Sequence, residues 1–238
     1  MTNRVLVLSL FLTRTLFRTL LGVLPPVLTL LLYRLTFTYR HQGDPAYLTA
    51  VGGLGLACVG VVTALLVADR ANRAALYPLI ARLPHRAELL AAVAVSTVLI
   101  TIGMAILYVS LVLGLQHMTL TPEQLLPIVP RWLVVFVFAA TLGLMMGRLA
   151  SRRGSHVVVF TVLGLMALSR EQLRFLNVGE SAWLVEAAEL VARPVTDSLT
   201  ANDAFQILPA LAVTGLYAIA LFALAVGLFR GKDLIWTE

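Results

Sequence analysis

Arginine crowds one short stretch of a chain that is otherwise almost uncharged. Residues 69–90, DRANRAALYPLIARLPHRAELL, carry Asp69, Arg70, Arg73, Arg82 and Arg86 between two long apolar runs. The remaining chemistry-bearing residues form no catalytic pattern. A phosphate-binding loop needs GxxxxGK followed by Ser or Thr; Gly231-Lys232 is followed by Asp and lacks the upstream glycine. The chain is therefore not expected to hydrolyse ATP. His41, His85, His117 and His156 stand in four separate loops without metal-ligand spacing. No GxSxG or HExxH occurs, and no paired carboxylates stand inside an apolar run, which argues against an intramembrane protease or a proton-driven carrier. The expectation is no catalytic residue, no metal and no cofactor in this chain.

The arginine-rich stretch has an order of its own. Leu76, Leu79, Ile80 and Leu83 follow an i, i+3, i+4, i+7 pattern and make one apolar stripe about 100° wide. Arg73, Tyr77 and Arg82 fall off that stripe. Pro78 is tolerated in a first helical turn and Pro84 cannot continue a helix, so the spacing predicts a short amphipathic helix of two to three turns. One reading is a loop whose arginines only enforce topology. The other is a rigid lever, because a loop needs charge but not a two-faced helix bracketed by prolines.

The elements around this stretch are apolar enough for lipid. Of the 238 residues, 60% are hydrophobic and 13% charged, about half the charged fraction of a soluble domain, with a mean hydropathy of +0.93. Several runs approach or exceed the ~18 residues needed to cross a ~30 Å hydrocarbon core. Spans are expected at about 20–37, broken by Pro25-Pro26, then 47–67, 89–115, 131–147 and 207–229, with a fifth apolar run at 157–168 too short to cross alone. Residues 3–18 carry Arg4, Arg14 and Arg18 within about an 80° arc, suiting a helix in the membrane interface whose arginines reach the headgroups of membrane lipid, with a ragged start to the first span as the alternative. Cys58, the single cysteine, is expected to pack as a small hydrophobe. No removable signal peptide is expected. With no internal repeat, low-complexity tract or linker, residues 1–238 read as one membrane domain.

Charge sets the orientation. With both termini and the loops 68–88 and 148–156 on one side, that side holds 12 of the 18 basic residues and 4 of the 12 acids, net +8, leaving net −2 on the other. The positive-inside bias puts those segments in the cytoplasm, so a net charge of +6 reflects topology and not nucleic-acid binding. Six spans in the cytoplasmic membrane with both ends inside is the expected layout.

In this setting the chain resembles the permease subunits of ABC-2 type ABC transporters. Their coupling helix between spans two and three carries an acidic-Arg pair, Gly-Thr-Leu, a Leu-Leu pair, Pro and Arg. Asp69-Arg70, Ala74-Ala75-Leu76, Leu79-Ile80, Pro84 and Arg86 stand here in that order. Ala-Ala replaces Gly-Thr, one residue is inserted before the proline, and Pro78 stands where a helix former is usual. The resemblance implies an all-α fold of six transmembrane helices, an N-terminal interfacial helix, and short re-entrant extracellular helices between spans five and six, within 169–206. ESAWLVEAAELVARP suits the last of these: Glu186, Glu189 and Arg193 share one face, and Trp183, Ala187, Leu190 and Val191 the other. The ending LFRGKDL is similar to the family's basic close, and Gly143-xxx-Gly147 permits close helix approach.

The resemblance further implies a separate ATPase subunit that binds ATP and Mg and grips Asp69, Arg70, Arg73, Leu76, Tyr77, Leu79, Ile80, Arg82, Leu83, Pro84 and Arg86. A second copy of the chain, or a homologous permease, would complete the transporter. A substrate path would pass Thr29, Tyr33, Arg34, Thr161 and Met166. Span walls of Leu, Val, Ala, Met and Phe with scattered Thr97, Thr101, Tyr108 and Tyr217 suit an amphiphile, a lipid-like compound or a hydrophobic drug. A haem-exporter-like subunit is an alternative inside the family. A membrane scaffold or enzyme subunit is one outside it.

Overall fold

A computed structural model describes residues 2–37, 45–72, 86–115, 121–147, 193–200 and 204–230, and among these no strand occurs. The helices are α1 (Thr2–Phe17), α2 (Leu24–Phe37), α3 (Pro45–Ala71), α4 (Arg86–Leu115), a single turn α5 (Pro122–Leu125), α6 (Ile128–Met146), α7 (193–200) and α8 (Ala204–Arg230). Among the described residues, five stretches are long and apolar enough to cross a membrane: Leu20–Phe37, Pro45–Ala71, Ala87–Leu115, Glu123–Met146 and Phe205–Phe229. The short run 157–168, the basic loop 148–156 and most of the expected re-entrant segment lie outside the described residues.

Pro25 and Pro26 begin a helix; they do not break one. A 3-10 turn, Leu20–Val23, leads into α2, and both prolines occupy its first turn, where a missing N–H costs nothing. The turn itself depends on Gly22, since a Cβ there would sit 2.6 Å from the Leu16 carbonyl oxygen and the Phe17 Cα. The chain thus turns sharply between α1 and α2.

Contacts between named residues fix the directions of the spans. Trp132 of α6 lies beside Thr49 and Gly53 of α3, Ala139 beside Gly60, Gly143 beside Ala64 and Gly147 beside Ala68. α6 therefore runs parallel to α3. In contrast, Thr101 of α4 meets Gly60 and Tyr108 meets Gly52, so α4 is antiparallel to both. Tyr47 donates to the Thr36 carbonyl and Gly55 abuts Leu32, which makes α2 antiparallel to α3 as well. Three adjacent spans of alternating sense follow directly from short connections.

Small residues carry the central packing. Gly60, Ala64 and Ala68 recur every four residues on α3, and Ala139, Gly143 and Gly147 do so on α6. A Cβ on Gly143 would approach Ala64 Cβ to 2.5 Å and the Val61 carbonyl oxygen to 2.8 Å. In lipid, where apolar side chains gain little from meeting one another, such close backbone approach is what van der Waals association requires. Around this seam lie the buried Leu56, Val67, Leu90, Val93, Phe136 and Leu142.

α1 packs on α4 and α3 through Leu8, Leu12 and Leu16, and Ser96 Oγ donates to the Ser9 carbonyl at 2.9 Å. This joins the arginine-bearing N-terminal helix to the span that leads out of residues 69–88. Cys58 differs from expectation: it is exposed on the outer side of α3, in the middle of a span, and faces the surroundings of the bundle. Position 58 falls off the stripe of Gly60, Ala64 and Ala68 that meets α6, so an apolar run alone did not reveal its direction.

Candidate functional site

The helix directions divide the bundle into two ends. At one end α3 finishes, α4 begins and α6 finishes, so Asp69-Arg70, Arg86 and the chain leaving Gly147 emerge together. The 3-10 turn that starts the Leu20–Phe37 span, with Arg18 just before it, belongs to the same end. The ends that lead into 68–88 and 148–156, and the turn that follows α1, thus share one face of the bundle.

Asp69 and Arg70 stand in the last turn of α3, not in a loop. Asn72 closes that helix with φ −86° and ψ 5°, its N–H returning to the Ala68 carbonyl. Asp69 is exposed and Arg70 half-buried, so the pair lies at the rim where the span ends. Arg86 opens α4. Arg73, Leu76, Tyr77, Leu79, Ile80, Arg82, Leu83 and Pro84, the body of the expected amphipathic helix, lie outside the described residues.

Glu88, two residues beyond Arg86, had no role in the sequence beyond its charge. It is buried, 3% exposed, and its Oε2 has no hydrogen-bond partner among the described residues. A carboxylate in the first turn of a helix is favoured by the backbone N–H groups there. The arginine-rich connection therefore joins two spans of 27 and 30 residues, about 40 and 45 Å long at 1.5 Å per residue, both longer than a ~30 Å hydrocarbon core. Their excess length lets the joined ends stand clear of the lipid interior.

At the other end, aromatic side chains collect. Tyr33 and Phe37 of α2 stack at 5.6 Å between ring centres, Phe37 meets Tyr47 of α3 edge-on at 6.5 Å, and it lies 6.3 Å from Tyr108 of α4. Trp132 and Phe136 of α6 continue the cluster. Here α3 departs from a regular helix: Leu48–Gly52 form a π-turn, a feature that often marks functional positions. Trp132 Nε1 donates to the Thr49 carbonyl at 3.0 Å, while Thr49 Oγ1 donates to the Pro45 carbonyl at 2.7 Å. Gly52 and Gly53 leave room for the rings, since a Cβ on Gly53 would sit 2.6 Å from Leu199 and 2.8 Å from Trp132 Nε1. Leu199 brings α7 to the same place, with Val195 and Ser198 also buried and an exposed Arg193–Asp197 ion pair at 3.4 Å.

Tyr108 is the unusual member. Its side chain is fully buried, and its hydroxyl, beside Thr36, has no partner in good hydrogen-bond geometry among the described residues. A buried hydroxyl without a partner typically costs ~1–3 kcal/mol, so it is either a liability or a reserved contact.

The positions expected along a substrate path separate. Tyr33 belongs to the aromatic end, and Arg34, next to it, is exposed on the outside of α2. Thr29 is buried and donates to the Pro25 carbonyl at 2.8 Å. Thr97 and Thr101 likewise donate to carbonyls of their own helix, four residues back. These threonine hydroxyls use their protons in helix packing. Thr161 and Met166 lie outside the described residues. Sequence reasoning missed Trp132 and the π-turn; the signal was a Gly52-Gly53 pair inside an apolar run, which marks close backbone approach.

Among the described residues no group of three or more His, Cys, Asp or Glu could hold a metal ion. No protein-family model matches the chain, and no curated protein or solved structure matches it.

Proposed function

We propose that this chain is the permease subunit of an ATP-driven exporter of the ABC-2 type, moving an amphiphilic or hydrophobic compound across the cytoplasmic membrane. The observation that carries the reading is mechanical. Residues 69–88 join two long spans, α3 and α4, which pack against each other and, through Gly60, Ala64 and Ala68, against α6. A force applied to that connection from outside the membrane moves a packed unit and not a loose hairpin.

In this reading a partner ATPase binds ATP and Mg and grips the amphipathic segment. Two copies of the chain pair about a two-fold axis, the commonest symmetry for such assemblies, and two ATPases dock beneath them. Closure of the ATPases swings α3 and α4 and opens the cavity between the copies at the aromatic end. There the half-buried rings of Tyr33, Phe37 and Tyr47 offer apolar surface suited to the hydrophobic part of an amphiphile. Arg34, exposed beside Tyr33, would meet an anionic headgroup at the mouth. Both termini are cytoplasmic.

Combining Arg73→Glu with Leu79→Asp removes the charge and the apolar stripe of the lever together. The expected outcome is an ATPase rate in the reconstituted complex that no longer responds to substrate, with transport reduced tenfold or more and the thermal unfolding of the spans unchanged. Full transport in a well-expressed double variant contradicts the proposal.

A further inference from the structure

The chain has no acidic residue before Asp44, yet α1 and the turn after it carry Arg4, Arg14 and Arg18. All three side chains are exposed, and none forms an ion pair among the described residues. Packing fixes how they point. Leu8, Leu12 and Leu16 hold one face of α1 in the bundle, and the Ser96 hydroxyl fastens Ser9 on the same side. At 100° per residue the arginines cover an arc of about 80° centred some 130° from the middle of that buried face. Between the two, on the far side, Leu6, Leu10 and Phe17 are exposed, and Phe11 is exposed among the arginines.

α1 is therefore divided in three: one face to the protein, one exposed apolar face that no described helix covers, and one guanidinium face bordering both. A water-soluble partner matches the charge of the third face but not the bare leucines beside it. The boundary between acyl chains and headgroups matches both. Arg14 and Arg18 are one turn apart, with the Arg18 N–H returning to the Arg14 carbonyl at 3.2 Å, so their Cβ atoms are about 5–6 Å apart, close enough to share one phosphate. Arg4 lies about 15 Å along the helix from Arg14, the place of a second headgroup.

We infer that the arginine face of α1 is a binding surface for anionic phospholipid headgroups, with Arg14 and Arg18 holding one phosphate between them. The inference needs only that the chain spans a membrane and is independent of the transport reading. The test uses the full chain, purified and delipidated, exposed to equimolar dioleoylphosphatidylglycerol and dioleoylphosphatidylcholine, with bound lipid counted by native mass spectrometry. Retention of the anionic lipid about five- to tenfold over the neutral one is expected. Arg4→Gln, Arg14→Gln and Arg18→Gln together should bring the ratio close to one, and Lys at all three should keep most of it. For the unaltered chain, raising salt from about 0.05 to 0.5 M should shrink the preference, a check that no folding defect can imitate. A ratio near one in the unaltered chain, or an unchanged ratio in the Gln variant, overturns the inference. So does a Gln variant that loses a soluble protein partner while its lipid ratio holds.

Discussion

Tyr108 poses the sharpest question at the scale of single residues. Its hydroxyl is buried among rings with no partner in good hydrogen-bond geometry among the described residues, so the phenol oxygen returns little for its desolvation. Tyr108→Phe should leave thermal stability unchanged or raise it by up to ~1 kcal/mol, read by unfolding in detergent. A loss of more than ~1 kcal/mol would show that the hydroxyl has a bonded partner. Cys58 offers a second test, because it is exposed in the middle of α3 on a side that no described helix covers. A membrane-impermeant maleimide should fail to label it in intact membranes and label it fully after denaturation. Labelling from the aqueous phase would instead put water beside the centre of α3. Sequence alone distinguished neither residue from its neighbours, because both directions depend on which side of a uniformly apolar helix meets another.

The elements were more legible than the residues. Long apolar runs announced the spans, and the bounds shifted by only a few residues where helices ran past the lipid: α4 begins at Arg86 where hydropathy suggested Leu89, and α3 runs to Ala71 where it suggested Val67. Charged residues lower hydropathy but do not end helices. Gly143-xxx-Gly147 was readable as a close-approach motif, but not its partner, which is set by the parallel run of α6 along α3. The seam predicts opposite results at two glycines. Gly143→Ala puts a Cβ 2.5 Å from Ala64 and should cost ~1–3 kcal/mol. Gly103→Ala meets nothing within 4 Å and should be neutral or stabilising by up to ~1 kcal/mol through helix propensity. Equal melting temperatures for the two variants would contradict the packing described.

For the whole molecule, a division of labour follows from the two ends. One carries the ends of α3, α4 and α6 with their arginines, and the other gathers aromatic rings around a π-turn. Charge bias legibly assigned Arg70 and Arg86 to one side, and the antiparallel α3–α4 contacts put both at the same end. The aromatic end was illegible, because Tyr33, Tyr47, Tyr108 and Trp132 come from four different helices and meet only when the bundle forms. The proposed transporter links the ends: a soluble motor pushes on the first, and a substrate leaves by the second. The most direct measurement is a mild-detergent pull-down of the tagged chain from its native membranes, with the co-purifying proteins identified by mass spectrometry. A stoichiometric soluble ATPase should come with it and be lost when residues 73–83 are scrambled. Recovery of the chain alone, or of an ATPase that remains bound to the scrambled form, would contradict the account.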